Sequence, residues 1–347
     1  MMHRIAIALG VITATLVGTN ADLRAADETD FYKGKQITLV VPTPPGGIYD
    51  IFARLMAIHM PKHIPGHPTI IPQNIGAASG LVGANQMANI APRDGTWIAS
   101  AHSSAPTAPL LTPGAQFKMD TLQWLGSITK DPFIAYSWHT SKVQTFDDLK
   151  TIGGTFGGQA VGSASIDFAI FAREYFGLKL KIVTGYPNSP TVKLAMQRGE
   201  IDGTFGNGFS DLKSSEPTWI PEKQVRILTQ FGFQKHPEMP DVPMFFDLAK
   251  NEEDRQALRL LFGRQEFSKA YYTTPEVPPA RLAILRKAFD DTIKDPEFLD
   301  AAKKANVTVE APMNGEELTA LIKTIGETPK PVVERLLSLF KNFQDSK

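Results

Sequence analysis

Gln36-Ile-Thr-Leu-Val-Val-Pro-Thr-Pro-Pro-Gly-Gly-Ile-Tyr-Asp50 is the stretch on which the fold turns. Gln36 to Val41 is β-branched and almost wholly apolar, the pattern of a parallel strand buried on both faces. Gly46 and Gly47 follow; lacking Cβ atoms, they let the backbone turn sharply and approach a ligand closely. Ile51, Phe52, Leu55, Met56 and Ile58 then recur at helical spacing until Pro61 stops the helix. The amides of Gly47 to Asp50 would therefore lie at the positive end of a helix, a setting that suits an anion. A plain strand-to-helix turn accounts for the same residues equally well.

Outward from this stretch the alternation continues. Thr69-Ile-Ile71 reads as a second strand and is followed by a Gly/Ala/Ser loop, Gly76 to Gly80. A helix of small residues is expected over Leu81 to Asn89, and Asp94-Gly95 turns into the strand Trp97 to Ala101, which ends in His102-Ser103-Ser104. Open α/β sheets bind ligands beyond the carboxyl ends of their strands, where these loops gather.

A second series starts near Asp131, with a strand at Phe133–Ser137. The glycine-rich passage Gly157-Gly-Gln-Ala-Val-Gly-Ser163 leads into a helix capped by Ser163 or Ser165 and closed by Gly177, repeating the logic of the first loop. Leu178 to Thr184 reads as a strand, Ser189-Pro190 as an N-cap followed by proline in the first turn. Arg226 to Gln230 reads as the strand returning to the first half. The tail is helical, over Ala280–Asp291, from Asp295-Pro296 and from Pro331, and its apolar faces are expected to pack back onto the first sheet.

The 347 residues carry 36 basic and 36 acidic side chains, so nothing points to nucleic acid or an anionic membrane as partner. Ile5 to Val17 is an apolar run behind His3 and Arg4, too short to span a bilayer and of signal-peptide length. Cleavage is expected after Ala25 or Ala26, with Ala21 as the other option. Removal of residues 1–25 takes Arg4, Arg24 and Asp22 and leaves a formal charge of −1. The absence of cysteine excludes disulfides, thiol catalysis and thiolate metal sites.

Other chemistries fit poorly. Neither glycine loop spells a dinucleotide fingerprint or a phosphate loop. Val161-Gly-Ser-Ala-Ser165 lacks the second glycine of a nucleophile elbow, so Ser163 reads as a cap or a ligand hydroxyl; His102 beside Ser103 is the remaining hint of a hydrolase. His59, His63 and His67 recur every fourth position, but Pro61, Pro65 and Pro68 forbid a continuous helix to align them on a metal. No cofactor or metal is expected.

Set together, these residues resemble a known family. The run Ile37 to Asp50 with Ala53-Arg54, Gln73-Asn74 with the Gly76–Gly80 loop and Gly83, Ala91-Pro-Arg-Asp-Gly95, Val161-Gly-Ser163, Gly185-Tyr186, Arg198-Gly-Glu-Ile-Asp202 and Pro240-Asp-Val-Pro243 occur in the order seen in tripartite tricarboxylate transporter receptors, the Bug receptors. The resemblance implies a type II periplasmic-binding fold, two α/β lobes joined by two crossover strands with the ligand cleft between them. It places lobe I at residues 27–128 and 229–347 and lobe II at 129–228. It implies a monomeric periplasmic receptor that captures a small organic acid, an aromatic one being an option, and delivers it to membrane subunits of the transporter; a sensor input is the related alternative.

In such receptors loop amides and hydroxyls hold the carboxylate. Carried over, Gly46, Gly47, Ile48, Tyr49 and Asp50 form the main loop, Ala78 and Ser79 the second, and Ser103 and Ser104 the third. Gly158, Val161, Gly162 and Ser163 close from lobe II, with Tyr186 and Asn207. Tyr49 and Tyr186 are placed to stack on an aromatic acid. Thr43, Gly158 and Ile166 depart from the family pattern: Gly158 stands where a serine is common and Ile166 where a histidine is, which puts a short dicarboxylate in doubt.

Overall fold

The structure, a computed structural model, describes residues 28, 30–112, 114–265 and 267–346. The expected export signal lies outside these residues.

Two mixed sheets organise the chain. The first contains β1 (Gln36–Val41), β2 (Thr69–Asn74), β3 (Trp97–Ser100), β4 (Gln123–Ser127), β10 (Ala270–Thr273) and β11 (Met313–Asn314), in the order β11-β4-β10-β3-β1-β2. β1 pairs in parallel with both β2 and β3, and five of its six residues are buried, as its unbroken apolar run requires. β10 runs antiparallel between β3 and β4. The second sheet contains β5 (Phe133–Trp138), β6 (Gly154–Gly157), β7 (Leu180–Val183), β8 (Gly203–Gly208) and β9 (Val225–Phe231), in the order β7-β6-β8-β5-β9. The fold is thus two α/β lobes, crossed once between β4 and β5 and again between β9 and β10.

Two expectations need correction. The segment Arg226–Gln230 does not pair in the first sheet; β9 lies antiparallel to β5, register Gln230 to Ile134, at the edge of the second. The return is made by β10 instead. The tail helices divide likewise. Pro279–Thr292 and Gly315–Gly326 pack on β4, whereas the last helix, Lys330–Asp345, packs on the helix Ala164–Phe176 of the second lobe. Its apolar stripe Val332, Leu336, Phe340 and Phe343 joins a continuous core that includes Phe168, Phe171 and Phe262. An amphipathic helix packs wherever its stripe is covered, and here the neighbour is an apolar helix rather than a sheet.

Local signals behave mostly as read. The helix after β1 runs Ile48–His59 and gives way to a 3-10 turn at Met60–His63 around Pro61. Asn188, not Ser189, caps the helix Ser189–Gln197, its side chain accepting the Thr191 amide. Asp295 caps Pro296–Lys304 by accepting the Glu297 amide.

Candidate functional site

The first glycine loop is held by its own helix. Gly46 has φ +90° and donates its amide to Asp50 Oδ2 at 2.9 Å. The same carboxylate accepts Arg54 Nε at 2.8 Å and Arg54 Nη2 at 3.0 Å, and Asn74 Nδ2 at 3.0 Å. Burial works against the charge of Asp50, but these bonds outweigh it and hold the carboxyl below its ordinary range. Asp50 is therefore occupied in shaping the loop. Tyr49 turns away from it: its hydroxyl accepts the Ser103 amide at 3.0 Å, and its ring stacks on His102 at 5.6 Å between centroids.

The second glycine loop follows the same plan. Gly162 has φ +97° and donates its amide to Asp167 Oδ1 at 2.8 Å. Here the arginine comes from far along the chain. Arg264 Nη1 lies 2.7 Å from Asp167 Oδ2 and its Nε donates to Thr107 Oγ1 at 2.9 Å, tying lobe II to the loop after β3. Both members of the pair are nearly inaccessible, at 1% and 2% exposure. Burial pushes the Asp167 carboxyl up, against the opposing pull of Arg264 and the Gly162 amide.

Against the second of these loops lies a cavity of about 210 Å³. Pro42, Ala78, Gly80, His102 and Ser104 bound it from the first lobe, Ala160, Val161 and Gly162 from the second. Of the residues singled out in the sequence, Ala78, Ser104, Val161 and Gly162 stand on this wall. Gly46, Gly47, Ile48, Asp50 and Ser103 do not line it, and Tyr49 touches the lining residue His102 by ring stacking. The backbone of Ser79 lies in the short turn Ala77–Gly80. Gly80, at φ +81°, is obligatory here: a Cβ would come within 2.7 Å of Pro42 Cβ and 3.2 Å of His102 Cβ.

On the lobe II side, Gly158 donates its amide to Val183 O at 3.0 Å and accepts that of Tyr186 at 3.4 Å. Asn207 is buried and donates to Tyr136 Oη at 2.9 Å. Ser163 occupies the N-cap position without making a cap bond; its hydroxyl donates to Ala160 O at 2.6 Å. The departure at Gly158 has a physical reason. A Cβ there would meet Ser165 Oγ at 2.6 Å and Ile166 Cδ1 at 2.8 Å, so the space a serine needs is already filled, and by another hydroxyl.

Two further groups stand at the site: His102, which the sequence offered only as a hint of a hydrolase, and Lys269, which it did not mark. His102 Nδ1 lies 2.7 Å from Ser104 Oγ and accepts the Ser104 amide at 3.3 Å; burial first, then Arg264 and Lys269, lower its pKa to about 4, so the ring is neutral at physiological pH. Lys269 is buried with φ +59°, its ammonium donating to Ser268 Oγ at 2.9 Å, 3.7 Å from Asp131 and 5.1 Å over the ring of Tyr49. Only distance in sequence hid it, since Asp131 and Lys269 flank the two crossings between lobes. A hydrolase triad is not assembled around His102: its hydroxyl neighbour is Ser104, and among the described residues no carboxylate reaches the ring. The histidines 59, 63 and 67 separate as well, His63 bonding Asp295 at 2.8 Å and His67 the Pro61 carbonyl at 3.3 Å.

No family model matches the chain. BugT of Bordetella pertussis is 34% identical over 151 residues, 43% of this chain and 44% of BugT. Over that stretch the chain is similar to a Bug protein. A relative from Agrobacterium vitis, described as a UPF0065 protein, extends the likeness to 79% of this chain and 76% of its own length at 25% identity. Solved structures share the fold. The periplasmic binding protein BugD superposes with a TM-score of 0.62 at 19% identity, covering 90% of this chain and 98% of BugD. The malate-bound MatC of Rhodopseudomonas palustris does so with a TM-score of 0.61 at 16% identity, covering 88% of this chain and 99% of MatC.

Proposed function

We propose that this chain is a Bug receptor that is exported to the periplasm, captures a small carboxylate between residues 27–128 with 229–347 and residues 129–228, and hands it to tripartite tricarboxylate-type membrane subunits as a monomer. One observation carries the reading: a cavity bounded by loops of both sheets, on the lobe II side by the Gly162 loop that leads into a helix N-terminus. A space walled from both sides empties and closes as the lobes move, which is how a receptor releases as well as binds. MatC, a relative in fold, binds a carboxylate. Neither loop offers a nucleophile activated by a base and an acid, so binding without turnover is the reading of the wall.

Ala78, Ser104, Val161 and Gly162 make direct contact in this reading. Gly46, Gly47, Ile48, Tyr49, Asp50, Ser79, Ser103, Gly158, Ser163, Tyr186 and Asn207 frame or complete the site as the lobes shut. A micromolar ligand needs about −8 kcal/mol, within reach of a few charge-assisted hydrogen bonds at ~1.5–3 kcal/mol each after closure costs. Thermal unfolding in the presence of malate, adipate, benzoate, a primary amine and a neutral sugar tests the class. One or more acids should raise Tm in a concentration-dependent way. Stabilisation by the amine or sugar with none by any acid overturns the carboxylate reading, and native mass spectrometry of the copurified ligand gives an independent answer.

A further inference from the structure

His102 is the one cavity-wall side chain whose orientation is set by its neighbours and whose second nitrogen is unengaged among the described residues. The Ser104 amide and hydroxyl both address Nδ1, at 3.3 Å and 2.7 Å. An amide N–H can only donate, so Nδ1 is the acceptor and the ring proton resides on Nε2. Tyr49 stacks on the ring at 24° between planes, and Gly80 packs so close that a Cβ on it would come 3.2 Å from His102 Cβ. The imidazole is thus clamped on one edge and one face while it lines the cavity.

We propose that His102 is a ligand-binding residue, and that its Nε2–H donates to a carboxylate oxygen of a monocarboxylic acid whose apolar body fills the cavity. This rests on the carboxylate reading above and narrows it. Val40, Leu81, Phe117, Val161 and Tyr272 make much of the wall apolar and suited to such a body, with Ser100, Ser104 and Thr112 as its hydroxyl residues. An apolar cavity of ~150 Å³ accepts benzene, so about 210 Å³ has room for one ring with its acid group. A second carboxylate set against this apolar part of the wall would lose hydration without an ionic partner, which costs affinity. The buried cations Arg264 and Lys269 stand near enough to bias the ring's own charge state, and the same field favours an anion at Nε2–H. A neutral donor held in place holds the acid without an arginine clamp.

The test uses the full mature chain with benzoate, phenylacetate, malate and adipate as probes and benzamide as the uncharged control. In the wild type a monocarboxylate should bind at least about tenfold more tightly than either diacid or benzamide. His102→Leu should weaken it by about tenfold or more, and His102→Gln, which keeps an N–H, should recover part of that loss. Long-range proton–nitrogen spectra of the imidazole should place the proton on Nε2 and show that resonance move when the acid binds; a packing role would leave it still. Unaltered affinity in His102→Leu, a proton on Nδ1, or an Nε2 resonance indifferent to ligand overturns the role of His102 while leaving the receptor reading intact. Preference for a diacid overturns the monocarboxylate class. If no acid binds the wild type, both readings fall together. The nuclear magnetic resonance arm uses wild-type protein, so it decides even if the leucine variant does not fold.

Discussion

The loops at Gly46 and Gly162 share one plan and are anchored by opposite means. Each has a glycine at positive φ whose amide is taken by an aspartate in the first turn of the following helix, and that aspartate is held by an arginine. In lobe I the arginine is Arg54, one turn further along the same helix and 54% exposed. The loop is self-contained, so lobe I arrives at the cleft already shaped. In lobe II the arginine is Arg264, brought back from beyond the second sheet and also bonded to Thr107 of lobe I. The shape of that loop therefore depends on how the lobes meet. In the receptor proposed above, a loop shaped within its own lobe and a loop tied to the interlobe contact would couple ligand capture to lobe position.

The largest effect should come from cutting the long-range anchor. Arg264→Met leaves Asp167 buried without its cation, and losing one partner of a buried pair costs about 3–5 kcal/mol. Asp167→Asn added to that variant keeps an acceptor for the Gly162 amide and removes the orphaned charge, so it should recover much of the loss. Urea unfolding midpoints of the wild type, single and double variants measure both. A loss below about 1 kcal/mol in the single variant would show that Asp167 finds water or another partner, and the contrast between loops would lose its basis.

A second, smaller difference concerns room. Gly47 has ordinary extended backbone, φ −86°, and nothing within 4 Å of a notional Cβ. Gly158 has three atoms within 3 Å, two of them belonging to Ser165. Gly47→Ser should thus stay within about 0.5 kcal/mol of the wild type. Gly158→Ser should lose about 1–3 kcal/mol through overpacking, and Ser165→Gly in the same chain should relieve most of it. Equal costs at the two positions in thermal or urea unfolding would mean that the lobe II loop yields more readily than its contacts imply.

What could be read in advance follows the range of the interaction. β1, the turn at Gly46 and the helix Ile48–His59 are written within a short stretch, since burial pattern, glycine and helical spacing act locally. The same holds for Gly162 and the helix after it. Arg264, Lys269 and Asp131 carry no local signal, because each acquires its role only when the two crossings bring distant segments together. Tyr49 stands beside the glycines of the first loop, yet its hydroxyl takes the Ser103 amide, a contact that depends on the relative height of two loops. The last helix shows an apolar stripe in sequence but not the surface that covers it. His102 was visible as a neighbour of serines, while its neutrality comes from burial and from two cations remote in sequence.

The smallest effect, and the one that separates the two aspartates by sign, is their dependence on pH. Asp50 has a folded pKa below its unfolded value near 3.8, so its contribution is fully present above that value and is lost as pH falls through the folded one. Asp167 has a folded pKa above its unfolded value: ionisation there costs stability, a cost present at neutral pH and relieved as pH falls. Relative to the wild type, Asp50→Asn should therefore be weakest at pH 7 and converge with it on acidification toward pH 3. Asp167→Asn should diverge in the other direction, the wild type gaining on it as pH falls. Urea midpoints taken at intervals between pH 7 and pH 3 give both curves, and slopes of the same sign would mean that Arg264 compensates the burial of Asp167 as fully as Arg54 compensates that of Asp50.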